Sequence, residues 1–203
     1  MLFVGVGVVA GLGLAIELWH AGSHDAFVEA LLPKLSLSFE GNLPTWCSST
    51  LLFCCALATA AIARAQPGAP GQKHWWGMVV VFAYASLDEA AELHENLGGL
   101  FETGGVLYFD WIIPAMGVVA VLAALYLPFV WRLPRAFRNR LIVAGVIYIG
   151  GALVMELPLG WWTERAGPDS LGYALIDWVE ETLEMVGASL ACSALVQHRR
   201  DLG

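Results

Sequence analysis

Glu17, His20 and His24 stand at i, i+3 and i+7. On an α-helix, at about 100° per residue, they fall within an arc of about 60°. A carboxylate and an imidazole three residues apart is the spacing by which helix bundles place both groups on one metal ion. A second acidic run, Ser86-Leu87-Asp88-Glu89-Ala90-Ala91-Glu92-Leu93-His94-Glu95, follows the uncharged stretch from Met78 to Ala85. As one helix it puts Asp88, Glu92 and Glu95 at the centre of a stripe, with Glu89 at its edge and His94 well off it. A third, Asp177, Glu180, Glu181 and Glu184, fits within roughly 100° of arc. Glu156 adds a single carboxylate from a fourth apolar segment.

The chain that carries these groups is apolar. Of 203 residues, 58% are hydrophobic and 14% charged, against about 25% charged in soluble domains. The mean hydropathy is +0.67. An all-α polytopic membrane protein is expected, a single domain over residues 1–203. Six segments approach or exceed the roughly 20 helical residues that cross a bilayer core: 2–20, 43–65, 75–95, 110–131, 141–162 and 171–197. The net charge of −8 and the lack of a basic stripe argue against nucleic acid as a partner. The expected partners are the lipid bilayer, a lipid-soluble small molecule, and a second copy or a larger membrane complex. A short interfacial helix is expected around Ala26 to Leu32. Cys47, Cys54, Cys55 and Cys192 form no ligand motif and read as small buried hydrophobes.

Basic residues set the orientation. Arg64, Lys73, Arg132, Arg135, Arg138, Arg140, Arg199 and Arg200 gather at one side of the six spans, and Lys34 and Arg165 at the other. That predicts a plasma (inner) membrane protein with both termini cytoplasmic. Every acid within a span then falls in the outer half, facing the periplasm or exterior. The count used no acidic residue, so this clustering is an independent observation.

A charged group near mid-membrane costs roughly 2.5–3.5 kcal/mol on insertion scales. Asp88, Glu92, Glu156, Asp177, Glu180 and Glu184 together would cost on the order of 15 kcal/mol unpaired. No Lys or Arg lies in the outer half of a span to offset them, Arg64 standing at the inner end of the second. Either several are protonated or cations are bound. The expected metal ligands are Glu17, His20, His24, Glu92, Glu95, Glu156, Glu180 and Glu184, with Asp88 and Asp177 as catalytic proton carriers. Glu89, His94 and Glu181 rank behind them, as supporting groups. Asp110, Glu102, Glu164 and Asp169 read as solvated loop residues, and His74 and His198 as inert.

An oxygen-rich set with few imidazoles suits iron or manganese, then zinc, over copper(I). The arrangement resembles the di-iron carboxylate bundles in its inward Glu side chains and its Glu-x-x-His. It departs from them in lacking a second Glu-x-x-His, because Ala91 stands three residues before His94. That resemblance implies a dinuclear, carboxylate-bridged centre, and the donor set points to iron or manganese for its metal. The function expected is metal-dependent oxidation or hydrolysis of a lipid-soluble substrate. Two other readings compete with it: a proton or cation path along the acidic stripes, and an accessory subunit of a membrane complex. Pro158, two residues after Glu156, is a candidate break in the fifth span.

Overall fold

A computed structural model describes residues 2–23 and 25–203, for Glu95 the backbone only. His24 lies outside the described residues. Eight α-helices follow in order: α1 (Leu2–Gly22), α2 (Ala26–Leu35), α3 (Leu43–Ala65), α4 (Gln72–Ala91), α5 (Ile112–Val130), α6 (Arg135–Ile149), α7 (Glu156–Ala166) and α8 (Leu171–Asp201). A π-helical turn, Gly150–Met155, joins α6 to α7 without a break. Among the described residues there are no strands. Four stretches among the described residues are long and apolar enough to cross a membrane: α1, α3, α5 and the continuous Arg135–Ala166.

Local chemistry explains the boundaries. The Asn42 side chain accepts from Thr45 N–H at 3.1 Å and starts α3, and the Ser170 hydroxyl does the same for α8 through Tyr173 N–H at 3.2 Å. The π turn has a cause in Pro158. A proline inside a helix donates no hydrogen bond, and its ring presses on the carbonyl four residues earlier, here Val154. Widening the preceding turn relieves that contact and keeps the helix running. Pro158 thus bulges the fifth segment instead of ending it.

Helix α4 departs from expectation. It stops at Ala91, because Glu92 takes a left-handed conformation (φ 51°), and His94–Leu97 winds as a 3-10 turn. The Asp88–Glu92–Glu95 stripe needed unbroken helix to residue 95, so it does not form. α2 extends to Leu35, past the expected Leu32.

Helix α8 is the centre of the bundle, packed on α1, α3, α6, the π turn and α7. Two glycines set how close it comes. A Cβ on Gly187 would lie 2.7 Å from Tyr148 N and 2.8 Å from its Cα, and one on Gly151 would lie 2.8 Å from the Glu180 carbonyl oxygen. Small residues permit this backbone-to-backbone packing between membrane helices. Helix α4 is clamped to α3 by a reciprocal pair: Ser49 Oγ donates to Ser86 O and Ser86 Oγ to Ser49 O, both at 2.8 Å. At the end of the bundle carrying Arg132, Arg135 and Arg199, an aromatic core closes the interior. Phe137 stacks on His198 (4.1 Å between centroids) and Trp75 meets Phe129 edge-on (5.1 Å). Cys55 and Cys192 are buried, whereas Cys54 is exposed, so it is not the buried hydrophobe expected.

Gly→Ala within a helix ordinarily stabilises by up to about 1 kcal/mol. Gly187→Ala should instead destabilise by about 1–3 kcal/mol through overpacking. Gly11→Ala, with open space at its Cβ, should not. Thermal unfolding of the two purified variants against the parent checks the contrast.

Candidate functional site

The glycine contacts and the serine clamp bring the acid-bearing faces of α4, α8 and the π–α7 segment around one cavity of about 520 Å³. Helix α4 contributes Asp88 and Glu89, α8 contributes Asp177, Glu180, Glu181 and Glu184, and α7 begins with Glu156. Glu40 enters from the loop after α2, and His94 from the 3-10 turn. Among the described lining residues there is no Lys or Arg.

The deepest carboxylates are well shielded. Glu156, Asp177, Glu180 and Glu184 are each at least nine-tenths buried. Glu180 and Glu184 both lie within electrostatic reach of Glu156. The Tyr148 phenol lies against Glu184, and Ser48 and Ser38 face Glu89 and Asp177. Glu180 is 6% exposed, and its Oε2 is buried with no hydrogen-bond partner. A buried carboxylate oxygen without a donor is costly. Such an oxygen is met either by a proton of its own or by a cation held in the cavity.

At the mouth, Asp88 Oδ2 and His94 Nδ1 are 3.1 Å apart. The turn that removes Glu92 and Glu95 from the helix carries His94 back onto Asp88, where its ring also meets Trp111 at 4.6 Å. Asp110 corrects the expectation of a solvated loop residue. It is 4% exposed and accepts N–H bonds from Phe101 at 2.6 Å and Gly99 at 2.8 Å. The Phe101 N–H, then that of Gly99, holds the Asp110 carboxyl below the usual aspartate range, against an opposing effect of burial.

Eight of the expected residues therefore share the cavity: Asp88, Glu89, His94, Glu156, Asp177, Glu180, Glu181 and Glu184. Three others do not line it. Glu17 is buried but accepts a short bond from Ser36 Oγ at the end of α2. His20 stays on α1, and Glu92 caps α4. The Glu95 side chain and His24 are outside the description. No three His, Cys, Asp or Glu side chains among the described residues converge closely enough to hold a metal ion as they stand.

Glu40 and Tyr148 went unread in the sequence, along with the other lining tyrosines, Tyr84, Tyr108 and Tyr173. Tyr148 did carry a signal, a phenol in an otherwise apolar run eight residues before Glu156. A family model described as "Domain of unknown function (DUF8692)" matches residues 1–198. The chain belongs to that family. No curated protein and no solved structure matches it. The DUF8692 match spans every residue of the cavity.

The Asp110 bonds make a pH and a mutational test. A carboxylate held below its unfolded value contributes stability above that value and loses it as pH falls through the folded one. The protection of the Gly99 and Phe101 amides from exchange, relative to the intrinsic rate at each pH, should therefore hold down to about pH 4, near the ordinary aspartate pKa, and fall below it. In Asp110→Ala the exchange should be about tenfold faster at every pH above that. Unchanged exchange in the variant would show that Asp110 does not hold the loop.

Proposed function

We propose that this is an integral membrane protein of six spans whose outward-facing acidic cavity binds cations, in the first place a hard metal ion. The observation that carries this reading is the unpartnered Oε2 of Glu180, buried among Glu156, Glu181 and Glu184 without a basic side chain in the lining. α4 and α8 would complete the six spans. They pack alongside the four apolar ones, and their polar faces are turned to the cavity. The excess of Arg and Lys at the opposite end supports a cytoplasmic location for that end.

An oxygen-dominated set favours iron or manganese, then zinc. Glu180, Glu184 and Glu156 are the central ligands in this reading, with Glu181 and Glu89 beside them. Because no three groups converge as they stand, the flexible glutamate side chains have to close on the ion. His94 is the imidazole of the described cavity lining, oriented by Asp88. This set leaves out Glu17, His20 and Glu92, which do not line the cavity. A bound ion of this kind activates water or oxygen for hydrolysis or oxidation of a lipid-soluble substrate. Asp88 and Asp177 would then hold and move protons at the cavity wall.

A path across the membrane is the weaker reading. The aromatic and aliphatic core around Trp75, Phe129, Phe137 and Leu195 fills the bundle beyond the acids, and a path needs polar groups on both sides of it.

The purified protein should carry near-stoichiometric iron, manganese or zinc by elemental analysis. Added Mn²⁺ at about 100 times its dissociation constant should contribute about 2.7 kcal/mol of stability. For about 200 residues that raises Tm by about 5–10 °C. Glu180→Gln should abolish the rise, and without added metal it should be no less stable than the parent, because it removes an uncompensated carboxylate. Only trace metal and no Mn²⁺-dependent shift in folded protein would refute the reading.

A further inference from the structure

Helix α5 is buried at its two ends and largely exposed between them. Ile112, Phe129 and Val130 are its buried residues, while Met116, Val118, Val121 and Leu125 are each more than half exposed. Near Phe129 it meets α4. His74 stacks on Phe129 at 4.8 Å, and a Cβ on Gly77 would clash with Tyr126 OH. Among the described residues α4 and α5 make no extended contact beyond that end, and α5 leans instead on the π turn. The two helices therefore open as a V.

Val81 and Ala85 of α4 face Val118, Val119 and Leu122 of α5 across that opening, and all five line the same cavity as the carboxylates. Val118 is also 58% exposed and Tyr84 55% exposed on the outer surface of the bundle. They mark a mouth that opens sideways, at the level of the apolar stretches of both helices. One end of the space is thus hydrocarbon-lined and open to the surrounding bilayer. The other is acidic and holds the buried, unpartnered Glu180.

Resting on the cation-binding reading of the cavity, we propose that the α4–α5 cleft admits the hydrocarbon chain of a membrane-dissolved amine, whose ammonium group docks among the carboxylates. Charge complementarity selects the head group. One or two divalent ions would leave several of the lining carboxylates uncompensated, and an anionic head would be repelled. The Tyr84 and Tyr148 rings lie along the route, and aromatic faces attract ammonium groups. The cleft walls carry no side-chain donor except Tyr84, so they select a chain without reading its length.

Binding of hexadecylamine, hexadecanoate and butylamine to the intact protein in phosphatidylcholine nanodiscs tests this. Hexadecylamine should bind at least about tenfold more tightly than either comparator. Val81→Trp and Val118→Trp should weaken it about tenfold while leaving the Mn²⁺-dependent rise in Tm intact; Val121→Trp, exposed and outside the cavity lining, should leave both unchanged. In the unmutated protein, a chain-borne diazirine on the same amine should label Val81, Val118, Val119 or Leu122 above the other bilayer-facing residues. Equal binding of amine and carboxylate, or labelling spread evenly over the bundle surface, would overturn the proposal while the Mn²⁺ response still stood. Loss of the Mn²⁺ response together with amine binding would instead strike the cation reading beneath it.

Discussion

Helix α8 touches the α6–π segment backbone to backbone, at Gly187 against Tyr148 and at Gly151 against Glu180. Much of the site's geometry depends on that approach. A methyl group at either glycine would push the helices apart, and with them the carboxylates of Glu156, Glu180 and Glu184. Pro158 adds the second ingredient, since the π turn it provokes directly precedes Glu156. π turns occur often at functional sites because they shift one side chain out of α-helical register. Close packing and a local bulge together assemble an acidic wall from segments distant in sequence.

The charge of that wall is met either by protons on its carboxylates or by a bound cation. The ion pairs Asp88–His94 and Glu164–Arg165 leave Glu180 untouched. Asp110 differs from Glu180 in that two backbone N–H groups satisfy it. The contrast separates two roles for one residue type. Asp110 organises the loop over the mouth, whereas Glu180 faces the cavity with an oxygen unmet.

Much of this was legible in the sequence. The apolar segments, the concentration of acids at one end, and the inward stripe of α8 all follow from composition and the 3.6-residue period. The failures have particular causes. Residues 86–95 read as one helix because nothing in Glu92 announces a left-handed cap, a conformation uncommon outside glycine. Its effect was to exchange Glu92 for His94 at the site. Glu17 and His20 have ligand spacing, but spacing along one helix does not say which neighbour the face will meet; Ser36 met Glu17 instead. Asp110 read as solvent-exposed because the bonds that bury it come from a loop without periodicity. Glu40 was missed for the same reason.

The central claim is that the carboxylates around Glu180 take their compensating charge from a bound cation. Titration calorimetry with Mn²⁺, repeated in two buffers of different ionisation enthalpy, reads both the binding and the protons displaced from those carboxylates. The account predicts saturable binding with protons released on occupation, and loss of both in Glu180→Gln. A folded protein that gives no saturable heat in either buffer, or a Glu180→Gln variant that binds like the parent, would contradict it.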